Sequence, residues 1–159
     1  MDEAAHNKKI YTPRQARLKA ESYCAYQERS QQEVRDKLYS WGLHLADVEQ
    51  IISHLIEDNY LNEERFALAY AQGKLRMKGW GKVKIKYHLK AKRVSDPLIR
   101  MALNRIDMDE YLAKMDEVIE KYARQPIENL NAQEKNKLIR HLQSRGFENE
   151  FIFEKVLGR

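Results

Sequence analysis

The chain of 159 residues has one cysteine, three prolines and six glycines. The lone Cys24 excludes an intramolecular disulfide and a cysteine-rich zinc site. It stands among Tyr23, Ala25 and Tyr26 in a helical stretch, the setting of a packed core thiol. So little Pro and Gly, beside much Glu, Lys, Arg, Gln, Leu and Ala, favours helix nearly everywhere. No segment alternates apolar and polar residues with period two, so no strand is expected. No run approaches 18 apolar residues, which excludes a membrane-spanning helix, and no membrane partner is expected. Residues Met1 to Lys9 lack the basic-then-apolar order of a signal peptide, and a cytosolic protein is expected. The 43% hydrophobic content is too high for a disordered tail and sufficient for a core.

Acid is missing too, but only locally. From Arg65 to Ser95 there are ten basic residues and no Asp or Glu: Arg65, Lys74, Arg76, Lys78, Lys82, Lys84, Lys86, Lys90, Lys92 and Arg93. The net charge of +5 is therefore +10 on this segment and −5 on the remainder. Such a field attracts a polyanion, most commonly nucleic acid. Trp80 lies between Gly79 and Gly81, and Tyr87 between Lys86 and His88. Cations interleaved with aromatics suit a single strand, whose phosphates are neutralised while its bases stack. The plainer reading is a solvated basic helix face balanced by acidic neighbours.

Helix starts are written clearly. Thr12-Pro13-Arg14-Gln15 and Ser30-Gln31-Gln32-Glu33 have capping-box spacing, and Asn62, Asp96-Pro97 and Asn131-Ala132-Gln133-Glu134 follow the same logic. Gly42 and Gly146 are natural stops. These signals predict helices over 13–28, 30–41, 45–58, 62–78, 81–92, 96–106, 109–124, 131–145 and 148–157.

The nine helices fall into three sets of three. A shift of 51 residues carries Val34, Leu38, Leu43, Val48 and Ile52 onto Ile85, Leu89, Val94, Ile99 and Leu103. A further shift of 53 reaches Leu138, Leu142, Phe147, Ile152 and Val156. Matching two helices and the turn between them is harder by chance than matching one helical period. The expected fold is all-α: three tandem three-helix repeats in an elongated, curved array, with a flexible N-terminal extension over 1–12 and repeats over 13–58, 59–107 and 108–159. The middle repeat is the basic one. Its second helix carries Lys82, Lys86, Lys90 and Arg93 as one stripe, and Arg93 stands where the other repeats have Gly.

No catalytic constellation is present. His6, His44, His54, His88 and His141 are scattered without metal-ligand spacing, and the adjacent pair Glu63-Glu64 diverges on a helix. Gly79-Trp80-Gly81 lacks the Gly-Lys-Ser/Thr ending of a phosphate loop. No enzyme activity, metal or cofactor is expected. Tyr60, Phe66 and Tyr70 read as packing between repeats. Trp80 is either an exposed stacking residue or a wedge between units.

Several stretches together resemble the RecX family, regulators of the RecA recombinase: Ser30 to Leu38 with Gly42, Tyr60-Leu61-Asn62-Glu63-Glu64-Arg65-Phe66-Ala67, Gly79-Trp80-Gly81 with Ile85 and Leu89, and Glu134 to Phe147. The resemblance covers roughly residues 14 to 158. Asn59, Lys82 and Arg93 depart from the Gly, Pro and Gly usual at their positions. The resemblance implies three tandem three-helix repeats, and binding within the groove of the RecA–DNA filament that limits its extension, strand exchange and ATP turnover. It also implies DNA binding alone, single-stranded and in part double-stranded, and a place in DNA repair, recombination and the SOS response. The expected contact residues are Lys74, Arg76, Lys78, Trp80, Lys82, Lys84, Lys86, Lys90, Lys92 and Arg93 of a monomer. The alternative is a sequence-tolerant nucleic-acid-binding module with no recombinase partner. A sequence reader of helix-turn-helix type fits poorly, because Lys82 to Arg93 offers mainly phosphate-type lysines.

Overall fold

The computed structural model describes residues 10–159; of the residues discussed above, His6 and most of the expected extension lie outside them. Nine α-helices run through the described chain: α1 (Pro13–Tyr26), α2 (Gln31–Ser40), α3 (Leu45–Glu57), α4 (Glu63–Gly73), α5 (Lys82–Ala91), α6 (Asp96–Asn104), α7 (Met108–Ala123), α8 (Ala132–Ser144) and α9 (Asn149–Leu157). No strand occurs among these residues. The chain divides into two compact units. One takes in residues through Ala67 together with Lys92–Val94; the other holds Leu68–Ala91 and Ser95–Arg159.

The expected caps form where a side chain can reach. Thr12 and Gln15 close a reciprocal capping box on α1, and Asn131 and Glu134 close one on α8. Ser30 Oγ accepts from the Glu33 amide, but Glu33 does not reach back; its carboxylate takes Lys92 Nζ at 3.2 Å instead. On α6 the cap is Ser95 rather than Asp96, with no side-chain bond, and Asp96 occupies the first helical position. Helix α1 stops at Tyr26, two residues short of expectation. Arg29 folds back to donate to the Tyr23 carbonyl at 3.0 Å and lays its guanidinium on the Tyr23 ring.

In the first unit α1 packs on α2 and α3, and α2 packs on α3. Ala16, Ala20, Cys24, Val34, Leu38, Val48, Ile52 and Leu55 form one buried cluster. Burial raises the Cys24 thiol to about 11, so it is a core residue and not a nucleophile. Tyr11 is tied in as well: its amide donates to the Trp41 carbonyl at 3.1 Å and the two rings meet edge to face.

The repeat is visible in backbone as well as side chains. Of the fifteen superposed apolar positions, all but the half-buried Leu103 are buried. At the turn between second and third helices, Gly42, Arg93 and Gly146 are all left-handed, with φ of 86°, 60° and 90°. The middle repeat thus holds an arginine in a conformation its neighbours give to glycine.

The expected helix over 62–78 is not uniform. Helix α4 ends at Gly73, and Lys74–Lys78 winds on as a π-helical turn. Gly79 closes it at φ 64°, its amide returning to the Leu75 carbonyl and that of Trp80 to Lys74. A short 3-10 turn over Ile127–Asn129, led in by Pro126, was not foreseen.

Candidate nucleic-acid interface

Helix α5 is the element that carries the lysines, and the second unit fixes its start. The N–H groups at its start have no partner within the helix. Here Gly81 N donates to the Arg145 carbonyl at 2.8 Å, Val83 N to the Gly146 carbonyl at 2.9 Å, and Lys82 N to Tyr111 Oη at 2.8 Å. Tyr111 is fully buried, and its hydroxyl donates in turn to Glu148. Burial, then that bond, push its phenol well above the usual range. The approach is backbone on backbone. A Cβ on Gly81 would lie 2.4 Å from the Gly146 carbonyl carbon and oxygen. Gly81 therefore serves a helix docking, which goes beyond the tight turn the sequence suggests.

Trp80 is neither fully exposed nor fully buried. It is half-buried within the second unit, and its ring stacks on His88 with centroids 4.6 Å apart. The ammonium groups of Lys74 and Lys84 sit 5.0 and 4.8 Å from its centroid. Trp80 is thus a hub that holds two cations in place by attraction to its ring. The exposed ring is Tyr87, 70% accessible and edge-on to His88. Sequence reasoning placed Tyr87 among the cations but did not choose it; its signal was the flanking Lys86 and His88.

The ten expected contact residues differ in how free they are. Lys74, Lys78, Lys82, Lys84 and Lys86 have no carboxylate within ion-pair distance among the described residues. Lys82 lies along the Tyr111 ring, 5.2 Å from its centroid. Lys86 and Lys90 share its face of α5 and are exposed; Lys90 has only a loose partner in Asp96 at 3.8 Å. Arg76 is neutralised by Glu110, with two bonds at 2.5 and 3.2 Å. Lys92 is paired with Glu33. Arg93 is exposed on its left-handed turn, and with Lys92 it belongs to the first unit. Arg65 is structural: it holds Glu28 at 2.9 Å and reaches Asn59 and the Tyr60 carbonyl. Among the described residues no cluster of His, Cys, Asp or Glu could hold a metal ion, and no helix is long and apolar enough to cross a membrane.

Comparison with known proteins agrees with this geometry. Three family descriptions match in order: "RecX, first three-helix domain" over residues 16–55, "RecX, second three-helix domain" over 62–103 and "RecX, third three-helix domain" over 109–156. The chain belongs to the RecX family. Its relatives include proteins named regulatory protein RecX from Clostridium tetani, 31% identical over 75% of this chain and 55% of that one, and from Lactobacillus johnsonii, 32% identical over 82% and 48%. The chain spans about half the length of such relatives. The crystal structure of RecX from Lactobacillus salivarius superposes with a TM-score of 0.79 at 25% identity, covering 92% of this chain and 95% of that one. A second RecX crystal structure, 20% identical, has the same fold at a TM-score of 0.75. The architecture of a RecX protein is thus present: all-α, in three tandem three-helix repeats.

Proposed function

We propose that the chain is a non-enzymatic regulator that binds the RecA–DNA filament and inhibits the recombinase in DNA repair and recombination. The three repeats over 13–58, 59–107 and 108–159 are its working units, and each family match falls within one of them. The basic middle repeat meets the polyanion, and the outer repeats contact neighbouring recombinase protomers. The observation that carries this reading is the convergence of Lys74 and Lys84 on Trp80 beside the exposed Tyr87. Unneutralised ammonium groups next to a free ring match a single strand, with phosphates on the lysines and a base on Tyr87. Lys78, Lys82, Lys86 and Lys90 extend the field, while Arg76 contributes less because Glu110 already pairs with it; in the first unit Arg93 is exposed and Lys92 is paired with Glu33. Inhibition comes from bridging or wedging, with no covalent step, and the protein acts as a cytoplasmic monomer.

The exposed Tyr87 and sequence-neutral lysines equally suit a module that binds nucleic acid with no recombinase partner. Affinity for naked single-stranded DNA, measured beside that for the same DNA coated by RecA, separates the two. Tighter binding to the coated strand is expected; equal affinity would favour the module.

A further inference from the structure

A second basic site lies within the second unit, lined in part by Lys78 and Gly79 just before Trp80. The π-helical turn, α7 and α8 border a solvent-open cavity of about 300 Å³. Lys78, Lys114, Lys121 and Arg145 line it, with Glu117 as its one carboxylate. Lys114 and Lys121 share Glu117 at 3.3 and 3.0 Å. Lys78 and Arg145 have no carboxylate within ion-pair distance among the described residues. Four cations against one anion leave the cavity strongly positive.

Arg145 is the telling member. One Nη donates to the Lys78 carbonyl, but its Nε–H is buried with no hydrogen-bond partner. A buried, unpaired donor on a charged group is costly, so such groups are normally satisfied. Gly79 leaves the room for it: a Cβ there would lie 3.0 Å from Arg145 Nη2 and 3.0 Å from Val118 Cγ2. Tyr122 and His141 form the cavity's aromatic side, stacked 4.1 Å apart at 11°. Burial, with the Arg145 charge second, holds His141 below its usual value, as a positive field should.

We propose that this cavity binds the phosphate group of a nucleotide, received by Arg145, Lys78 and Lys114, with the base against Tyr122. A guanidinium fork backed by ammonium groups matches phosphate oxygens. A volume near 300 Å³ suits a small ligand. The phosphate can belong to a free nucleotide or to a strand. The cavity shares Lys78 with the basic face proposed above, whereas Arg145, Lys114 and Glu117 belong to the cavity alone.

The test follows the Arg145 Nε–H resonance of the full chain during titration with adenosine 5′-monophosphate, inorganic phosphate and a short oligothymidylate. Movement with the mononucleotide identifies a free nucleotide; movement with the oligonucleotide alone identifies a strand; either supports the site. Arg145→Gln should lower the affinity about tenfold or more. Because Arg145 also holds the Lys78 carbonyl, Glu117→Gln provides a second variant on an exposed side chain. It removes the one carboxylate among the lining residues and should raise affinity roughly two- to fivefold. A resonance unmoved by all three probes at millimolar concentration, or a Glu117→Gln variant that binds no tighter than the parent, would overturn the proposal.

Discussion

Arg93 occupies backbone space that its two repeat equivalents give to glycine, at φ 60°. A non-glycine residue there costs about 1–2 kcal/mol, of which glycine's greater freedom in the unfolded chain returns about 0.5–1. Arg93→Gly should therefore raise stability by about 0.5–1 kcal/mol in urea denaturation while weakening polyanion binding. His141 supports a different experiment. Its folded value lies below that of the unfolded chain, because burial and then Arg145 disfavour the imidazolium. As pH falls through about 6.5 the unfolded chain takes up a proton that folded His141 refuses, so stability is lost on acidification. His141→Gln should flatten that part of the profile, read as the urea midpoint at pH 7.5 against pH 5.5.

At the scale of elements, the glycines of the middle repeat have opposite roles. Gly81 touches the Gly146 backbone, so Gly81→Ala must push α5 off its docking and should cost about 1–3 kcal/mol. Gly73 has right-handed helical angles and nothing within 4 Å of an added Cβ, so Gly73→Ala should gain about 0.5–1 kcal/mol. Thermal melts of the two variants would check both signs. The sequence pattern could not distinguish them, since a glycine at a helix end looks alike whether it turns, docks or merely sits. The caps at Thr12, Ser30 and Asn131 were legible because they depend on residues three apart. The π-helical turn was not, because the apolar period barely changes when one residue is added to a turn.

For the whole molecule, the three-copy pattern was legible because buried apolar positions recur at nearly the same spacing in each copy. Val34, Ile85 and Leu138 are all fully buried. The candidate site was only partly legible. A charge run shows how many cations there are, but not which carboxylates come back to them in space. Glu110 and Glu33, distant in sequence, neutralise Arg76 and Lys92, while α5 keeps Lys82 and Lys86 free. Arg145 and Lys114 lay outside the acid-free segment, and nothing in their local sequence marked them. The central claim is that α5 carries the contact with the RecA–DNA filament. It is tested most directly by the ATP turnover of RecA on single-stranded DNA, with the parent protein and with Lys82, Lys86 and Lys90 all changed to Glu. The account predicts that the parent slows turnover and that the folded triple variant has largely lost this effect. Undiminished inhibition by the triple variant would contradict it.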